Sequence, residues 1–280
     1  MKIKQILTNI QKNILNRSDR PEMSTGIGSL DEIMWGFKRG ESVVVAGRTS
    51  MGKTSFMLHC ARHLAKQGKK VIFISMEMSK ETIAERFLVM ENRIDNEKIL
   101  KANFTAEEKR KLMDSILFMD DIDFNIQDDL GFKWEQIKAH VLSVKPDIMF
   151  IDYIQMIPHI AGKNERESYS EYVRMTKEIA KQNNICIVLG SQVNRNAVED
   201  KIPDIPKLHQ LKGSGTLEEN VDCVLLCHWP WKYKYSMKEE SANLNPHEYL
   251  IDVAKNRNGR VGVTKIEFIP EWYTFRDRTL

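Results

Sequence analysis

The sequence predicts an α/β fold: a mostly parallel sheet with helices on both faces and an antiparallel hairpin at its C-terminal edge. Three observations predict it. From about Ser42, short apolar runs alternate with segments of helical spacing. Those runs are apolar throughout, as strands covered on both faces must be. A glycine-bracketed loop, G-R-T-S-M-G-K-T at 47–54, joins the first run to the first helix after it.

Ahead of the sheet, Ile3, Ile6, Leu7, Ile10, Ile14 and Leu15 fall at helical spacing, opposite Lys and Asn. Ser18-Asp19-Arg20-Pro21 breaks this helix. Two parts follow: an amphipathic linker helix and break at 1–20, and the α/β domain at 21–280. The apolar stripe must be buried, either on its own domain or on a neighbouring subunit. The spacing then predicts strands at 42–46, 70–75, 147–152, 185–190 and 222–228. Helices are expected near 53–66, 79–91, 106–118, 133–143 and 168–182. Thr105 and Glu108 resemble a capping box for the third of these. In the tail, Tyr249–Ala254 and Val263–Ile269 read as strands joined by K-N-R-N-G-R-V-G, a hairpin on the sheet edge.

Composition bounds the function class. A chain of 280 residues, 42% hydrophobic and 29% charged, can bury a sizeable core. A net charge of +3 is too small to argue for nucleic acid by itself. The first twenty residues are more basic, with Lys2, Lys4, Lys12, Arg17 and Arg20 against Asp19. No apolar run is long enough for a membrane span, and the N-terminus does not read as a secretory leader. Cys60, Cys186, Cys223 and Cys227 form no C-x-x-C and are expected to be free thiols in a reducing cytoplasm.

Gly47-x-x-x-x-Gly52-Lys53-Thr54 matches the phosphate-loop pattern in its strand–loop–helix context. Its glycines let backbone N–H groups turn around an anion, at the positive end of a helix. Gly47, Ser50, Gly52, Lys53, Thr54 and Ser55 are therefore assigned to a nucleotide, with ATP and Mg²⁺ as the expected cofactors. Lys53 can reach the β- and γ-phosphates, and Thr54 can hold the metal. Asp152, closing the apolar run M-F-I-D, is the acid expected to complete the metal's shell. The next residue is Tyr153, so a base that orients the attacking water must come from elsewhere.

Glu77, just past the second strand, is the candidate base; a solvated glutamate at a helix start is the alternative. Gln192 closes the fourth strand, where its amide could bond the γ-phosphate or the water, or serve as an N-cap or a loop polar group. The stretch W-P-W-K-Y-K-Y, 229–235, could stack bases, line an adenine site or pack under the hairpin. Arg86 could approach the nucleotide or make a salt bridge on its helix.

Together these motifs resemble the C-terminal ATPase domain of DnaB-type replicative helicases, a RecA-like P-loop NTPase fold. The matching stretches are T-G-I-G-S-L-D (25–31), the phosphate loop, F-I-S-M-E-M-S (73–79), I-D-Y-I-Q-M (151–156), S-Q-V-N-R (191–195), L-K-G-S-G-T-L-E-E (211–219) and A-K-N-R-N-G (254–259). They cover about residues 23–275 in the family's order. The resemblance implies a homohexameric ring with ATP between subunits. It implies that Lys53, Thr54 and Asp152 hold phosphate and metal, that Glu77 is the catalytic base, and that Gln192 senses the γ-phosphate. Lys255 and Arg257 match hairpin residues that reach a neighbour's γ-phosphate; a solvated basic turn is the alternative. An edge hairpin cannot easily reach its own loop, and a cation supplied in trans stabilises developing charge.

Single-stranded DNA is the implied partner, at loops near 158–166 and 195–215, including Arg195, Lys212, Gly213 and Gly215. Where the family often has Arg-Glu-Ser-Gly, this chain has Lys212-Gly213-Ser214-Gly215. Lysine keeps a charge but lacks arginine's bidentate fork, and the backbone N–H groups of so glycine-rich a loop can bind phosphate without reading sequence, so sequence-neutral, salt-sensitive binding is expected. The family also carries an N-terminal helical collar that meets primase. About twenty residues stand here ahead of the ATPase domain and are expected to be the linker helix; a helicase loader or primase is a further expected partner. The expected function is an ATP-driven, ring-forming helicase motor on single-stranded DNA; the alternatives are a RecA-like recombinase and an ATP-binding protein that co-assembles with a host helicase and regulates it.

Overall fold

The computed structural model describes residues 3–5, 7, 11, 15, 19, 21–117, 119, 122–128, 133–193, 205–211, 214–236 and 244–278. One nine-stranded sheet organises them, in the order β3-β2-β4-β5-β1-β6-β7-β8-β9. The strands are β1 Ser42–Gly47, β2 Val71–Ser75, β3 Phe124–Gln127, β4 Ile148–Asp152, β5 Cys186–Gln192, β6 Cys223–His228, β7 Glu248–Asn256, β8 Gly262–Ile269 and β9 Thr274–Asp277. The first six run parallel. The last three add on antiparallel, as a hairpin and a return strand.

Side chains in β1, β2 and β4 alternate between two buried layers. Val43, Val45, Val71, Phe73, Ile148 and Phe150 enter one, while Val44, Ala46, Ile72, Ile74, Met149 and Ile151 enter the other. Both faces are thus apolar, which is why these strands read as unbroken runs. The first layer is covered by α1 (Gly28–Met34), α2 (Lys53–Lys66) and α3 (Lys80–Asn92); the second by α6 (Trp134–Val144), α7 (Glu165–Asn183) and α8 (Ser214–Asn220). Two helices, α4 (Asn96–Leu100) and α5 (Ala106–Leu117), precede β3 in sequence, and α9 (Pro230–Ser236) follows β6.

The five expected parallel strands and the hairpin all form. The edge strand β3, the return strand β9 and the short helices α1, α4, α8 and α9 were not expected. Helix α7 starts three residues early because Asn164 and Glu167 build a capping box. The Thr105–Glu108 box forms as expected, with reciprocal bonds of 2.9 and 3.2 Å. In the N-terminal stretch, the described residues 3–5, 7, 11 and 15 are helical, with Ile3, Leu7 and Leu15 exposed. Ile6, Ile10 and Ile14 lie outside the described residues. All four cysteines are buried free thiols, and burial pushes those of Cys223 and Cys227 up to about 12. Among the described residues, no helix is long and apolar enough to cross a membrane.

Candidate nucleotide site

A cleft of about 550 Å³ opens at the carboxyl ends of the parallel strands. That edge is where open α/β sheets place ligands. Its walls include Ser50, Gly52, Lys53, Thr54 and Ser55 from the loop, Glu77 and Arg86 from the β2–α3 segment, and Tyr153 and Gln192 from the ends of β4 and β5. The loop keeps its shape through residues in the left-handed region. Ser50 has φ 62° and Gly52 has φ 80°, so α2 starts from a glycine that needs no strain to turn there. Gly47 is close-packed: a Cβ would meet the Cys227 carbonyl at 3.0 Å.

The loop is also held from the hairpin. The Tyr249 hydroxyl, fully buried on β7, donates to the Met51 carbonyl at 2.6 Å. Sequence reasoning missed this residue, which lies 198 positions from its partner. Gln192 sits opposite Gly47 in the β1–β5 register and donates its amide to the Thr49 hydroxyl.

Asp152 is 2% exposed, and its Oδ2 accepts from the Thr54 hydroxyl at 2.5 Å. Its Oδ1 is buried with no hydrogen-bond partner. Gly190 on β5 leaves room beside that atom, since a Cβ there would lie 2.7 Å away. Burial pushes the Asp152 carboxyl above its ordinary range; the Thr54 hydroxyl and Lys53 pull it back, and nearby Glu77 pushes it up. An unpaired carboxylate oxygen beside a threonine hydroxyl is a donor set suited to a hard divalent cation. These residues fit Mg²⁺. Glu77 is exposed at the cleft wall, open to a water or a substrate.

Arg86 lays its guanidinium over the Tyr273 ring at 5.0 Å and lines the cleft, in place of a salt bridge along its helix. The aromatic stretch divides. Trp229 packs on Phe268 at 5.0 Å and bonds the Pro246 carbonyl, and Tyr233 takes the Arg48 guanidinium at 4.5 Å. Trp229 and Lys232 also face the cleft.

The two hairpin cations are elsewhere. Lys255 pairs with Val224 at the start of β6, and the Arg257 backbone N–H bonds the Asp222 carbonyl. Asp222 in turn bonds Ser42, the first residue of β1. Arg257 therefore lies at the amino edge, five residues of β1 below Gly47, or roughly 17 Å at strand rise. Of the expected DNA contacts, Arg195, Lys212 and Gly213 lie outside the described residues. Gly215 is exposed in α8, Lys163 is exposed in the segment between β4 and α7, and Arg166 is exposed in the first turn of α7.

The family model for the DnaB-like helicase C terminal domain matches residues 22–277. The chain is 30% identical over 266 residues to a probable replicative DNA helicase of Trieres chinensis, covering 92% of this chain and 58% of that one. It is 30% identical over 278 residues to the replicative DNA helicase DnaC of Bacillus subtilis, covering 97% and 60%. The chain thus spans about 60% of the length of these curated relatives. Among solved structures, it superposes on the ATPase domain of G40P with a TM-score of 0.89 at 26% identity, covering 99% of both chains. A DnaB-like replicative helicase, solved with its interactions with primase, matches with a TM-score of 0.89 at 27% identity, over 99% of this chain and 69% of that one. With its RecA-like sheet, its phosphate loop and a family match over nearly its whole length, the chain belongs to the DnaB-like helicase C-terminal domain family.

Proposed function

We propose that this chain is the motor domain of a ring-forming replicative DNA helicase, which hydrolyses ATP, moves along single-stranded DNA and unwinds the duplex. The observation that carries this reading is the division of the site across the sheet. The phosphate loop, Glu77, Asp152 and Gln192 share the carboxyl edge, while Lys255 and Arg257 stand at the amino edge. One subunit cannot complete its own site; a head-to-tail neighbour can.

In this reading the loop N–H groups and Lys53 bind the phosphates of ATP. Thr54 and Asp152 would hold Mg²⁺, which when bound neutralises phosphate charge. Glu77 accepts a proton from the attacking water. Gln192 leaves Thr49 for the γ-phosphate and so registers its presence. Lys255 and Arg257 of the adjoining subunit stabilise the charge of the transition state. Arg195, Lys212, Gly213 and Gly215, with the 158–166 segment, hold the DNA backbone without reading sequence.

A hexameric ring, a cytoplasmic setting and a loader or primase as partner belong to the same proposal. The exposed Ile3, Leu7 and Leu15 support docking of the N-terminal helix on a neighbour. The completeness of the hydrolytic set supports a motor over a regulator, and the similarity to replicative DNA helicases supports a helicase over a recombinase.

The test is ATP hydrolysis against protein concentration, with and without single-stranded DNA. The rate per subunit should climb with concentration and rise again with DNA. A flat, slow rate indifferent to DNA would sink the motor reading and favour the regulator.

A further inference from the structure

We propose that buried Asp222, with the carbonyls at the end of α8, forms a seat that aims Lys255 and Arg257 at the neighbouring subunit's nucleotide. Asp222 is then a positioning residue for trans catalysis. This rests on the trans reading above and deepens it.

Arg257 is held by three contacts with one short segment. Its backbone N–H donates to the Asp222 carbonyl at 2.8 Å, its Nη2 donates to the Glu219 carbonyl at 3.1 Å, and its Nη1 lies 3.7 Å from Asp222 Oδ1. Lys255 Nζ donates to the Val221 carbonyl at 2.7 Å. Both hairpin cations therefore rest on the Glu219–Asp222 segment, where carbonyls at and beyond the helix end and the helix dipole favour positive charge.

The Asp222 carboxylate is 3% exposed and works on two sides. Oδ2 accepts from the Ser42 N–H at 2.8 Å, from its hydroxyl at 3.3 Å, and from Lys177 Nζ. Oδ1 faces Arg257 in ion-pair range but beyond hydrogen-bond length. Lys177 balances the buried charge. That leaves Arg257 steered but not captured, with half of its side chain still exposed. A cation that must act across an interface needs this balance: too loose a hold loses orientation, and too tight a hold keeps it at home.

The test uses mixed subunits of the full chain. Glu77→Gln lacks the base but donates a cation; Arg257→Ala keeps the base but donates none. Mixed and co-assembled, they should recover activity. Asp222→Asn is then added to one partner at a time. In the cation donor, recovery should fall about tenfold, the scale of a modest misplacement. In the Arg257→Ala partner, where the seat holds no arginine, recovery should hold.

Equal falls in both arms would assign Asp222 a merely structural role and overturn the proposal. No recovery in the parent mixture would instead overturn the trans reading itself. Should Asp222→Asn not fold, Lys177→Gln leaves the carboxylate in place. It should draw Arg257 inward and lower recovery in the donor arm alone, and equal falls would again overturn the proposal.

Discussion

The two edges of the sheet treat their carboxylates differently. At the carboxyl edge, Asp152 keeps one buried oxygen without a partner and Glu77 stands exposed on an open cleft. At the amino edge the acids are occupied. Asp147 takes Arg39 and the Lys70 N–H, and Glu41 takes Asn258. The lesson is physical. A buried polar group with spare capacity raises the energy of the free chain, and a ligand can lower it. A group already satisfied braces the fold.

The largest test of that contrast is Asp152→Asn. Turnover should fall on the order of a hundredfold or more, because the acid proposed to hold the metal is gone. The melting temperature, without Mg²⁺ or nucleotide, should hold or rise, since a buried charge is removed while the amide oxygen still accepts from Thr54. A gain of ~1 kcal/mol is about 2–4 °C for a domain of this size. A melt several degrees lower would place Asp152 with the structural acids and break the contrast.

Asp147→Ala should do the reverse, destabilising by about 1–3 kcal/mol while leaving turnover per folded molecule unchanged. Its pH dependence sharpens the point. Burial raises the Asp147 carboxyl, but Arg39 and the Lys70 N–H outweigh it and hold it below the ordinary 3.8. A lowered folded pKa contributes stability above 3.8 that is lost as pH falls through the lower folded value. Urea melts at about pH 6 and about pH 3 should therefore show the gap between wild type and variant closing in acid. A gap that stays constant would remove Asp147 from the brace.

The smallest expected effect is Tyr249→Phe. It strips the donor from the Met51 carbonyl, at about 1 kcal/mol of stability. It should also raise the KM for ATP a few-fold with kcat unchanged, because the loop is held less firmly before binding. A change in kcat alone would contradict a purely supporting role.

Much of this was legible in the residues. Strands buried on both faces cannot alternate, so β1, β2, β4, β5 and β6 stood out as apolar runs. The phosphate loop carried its own context, and with it the places of Asp152, Glu77 and Gln192. Other parts were hidden for identifiable reasons. The edge strand β3, F-N-I-Q, is half-buried throughout and too short to show a period. The α9 helix begins at Pro230, inside a stretch whose aromatics suggested stacking. The Asn164–Glu167 cap was a visible N-x-x-E signal left unread. Tyr249, Gly190 and Asp222 act only through partners far along the chain, and no local pattern announces such contacts.

The placement of the phosphate loop and the cationic hairpin at opposite edges has an arithmetic consequence. Under the proposed trans contact, each subunit is a directed unit, with an accepting end and a donating end. A two-fold symmetric pair, which joins like surface to like, does not by itself make the head-to-tail contact between them. Units joined donor to acceptor form either a closed circle or an open row. In a circle every nucleotide has a cation and every cation a nucleotide. In an open row one terminal subunit holds a nucleotide no one completes, and the other offers a cation to nothing. Opening the circle at a single seam would therefore silence one site while leaving every fold intact.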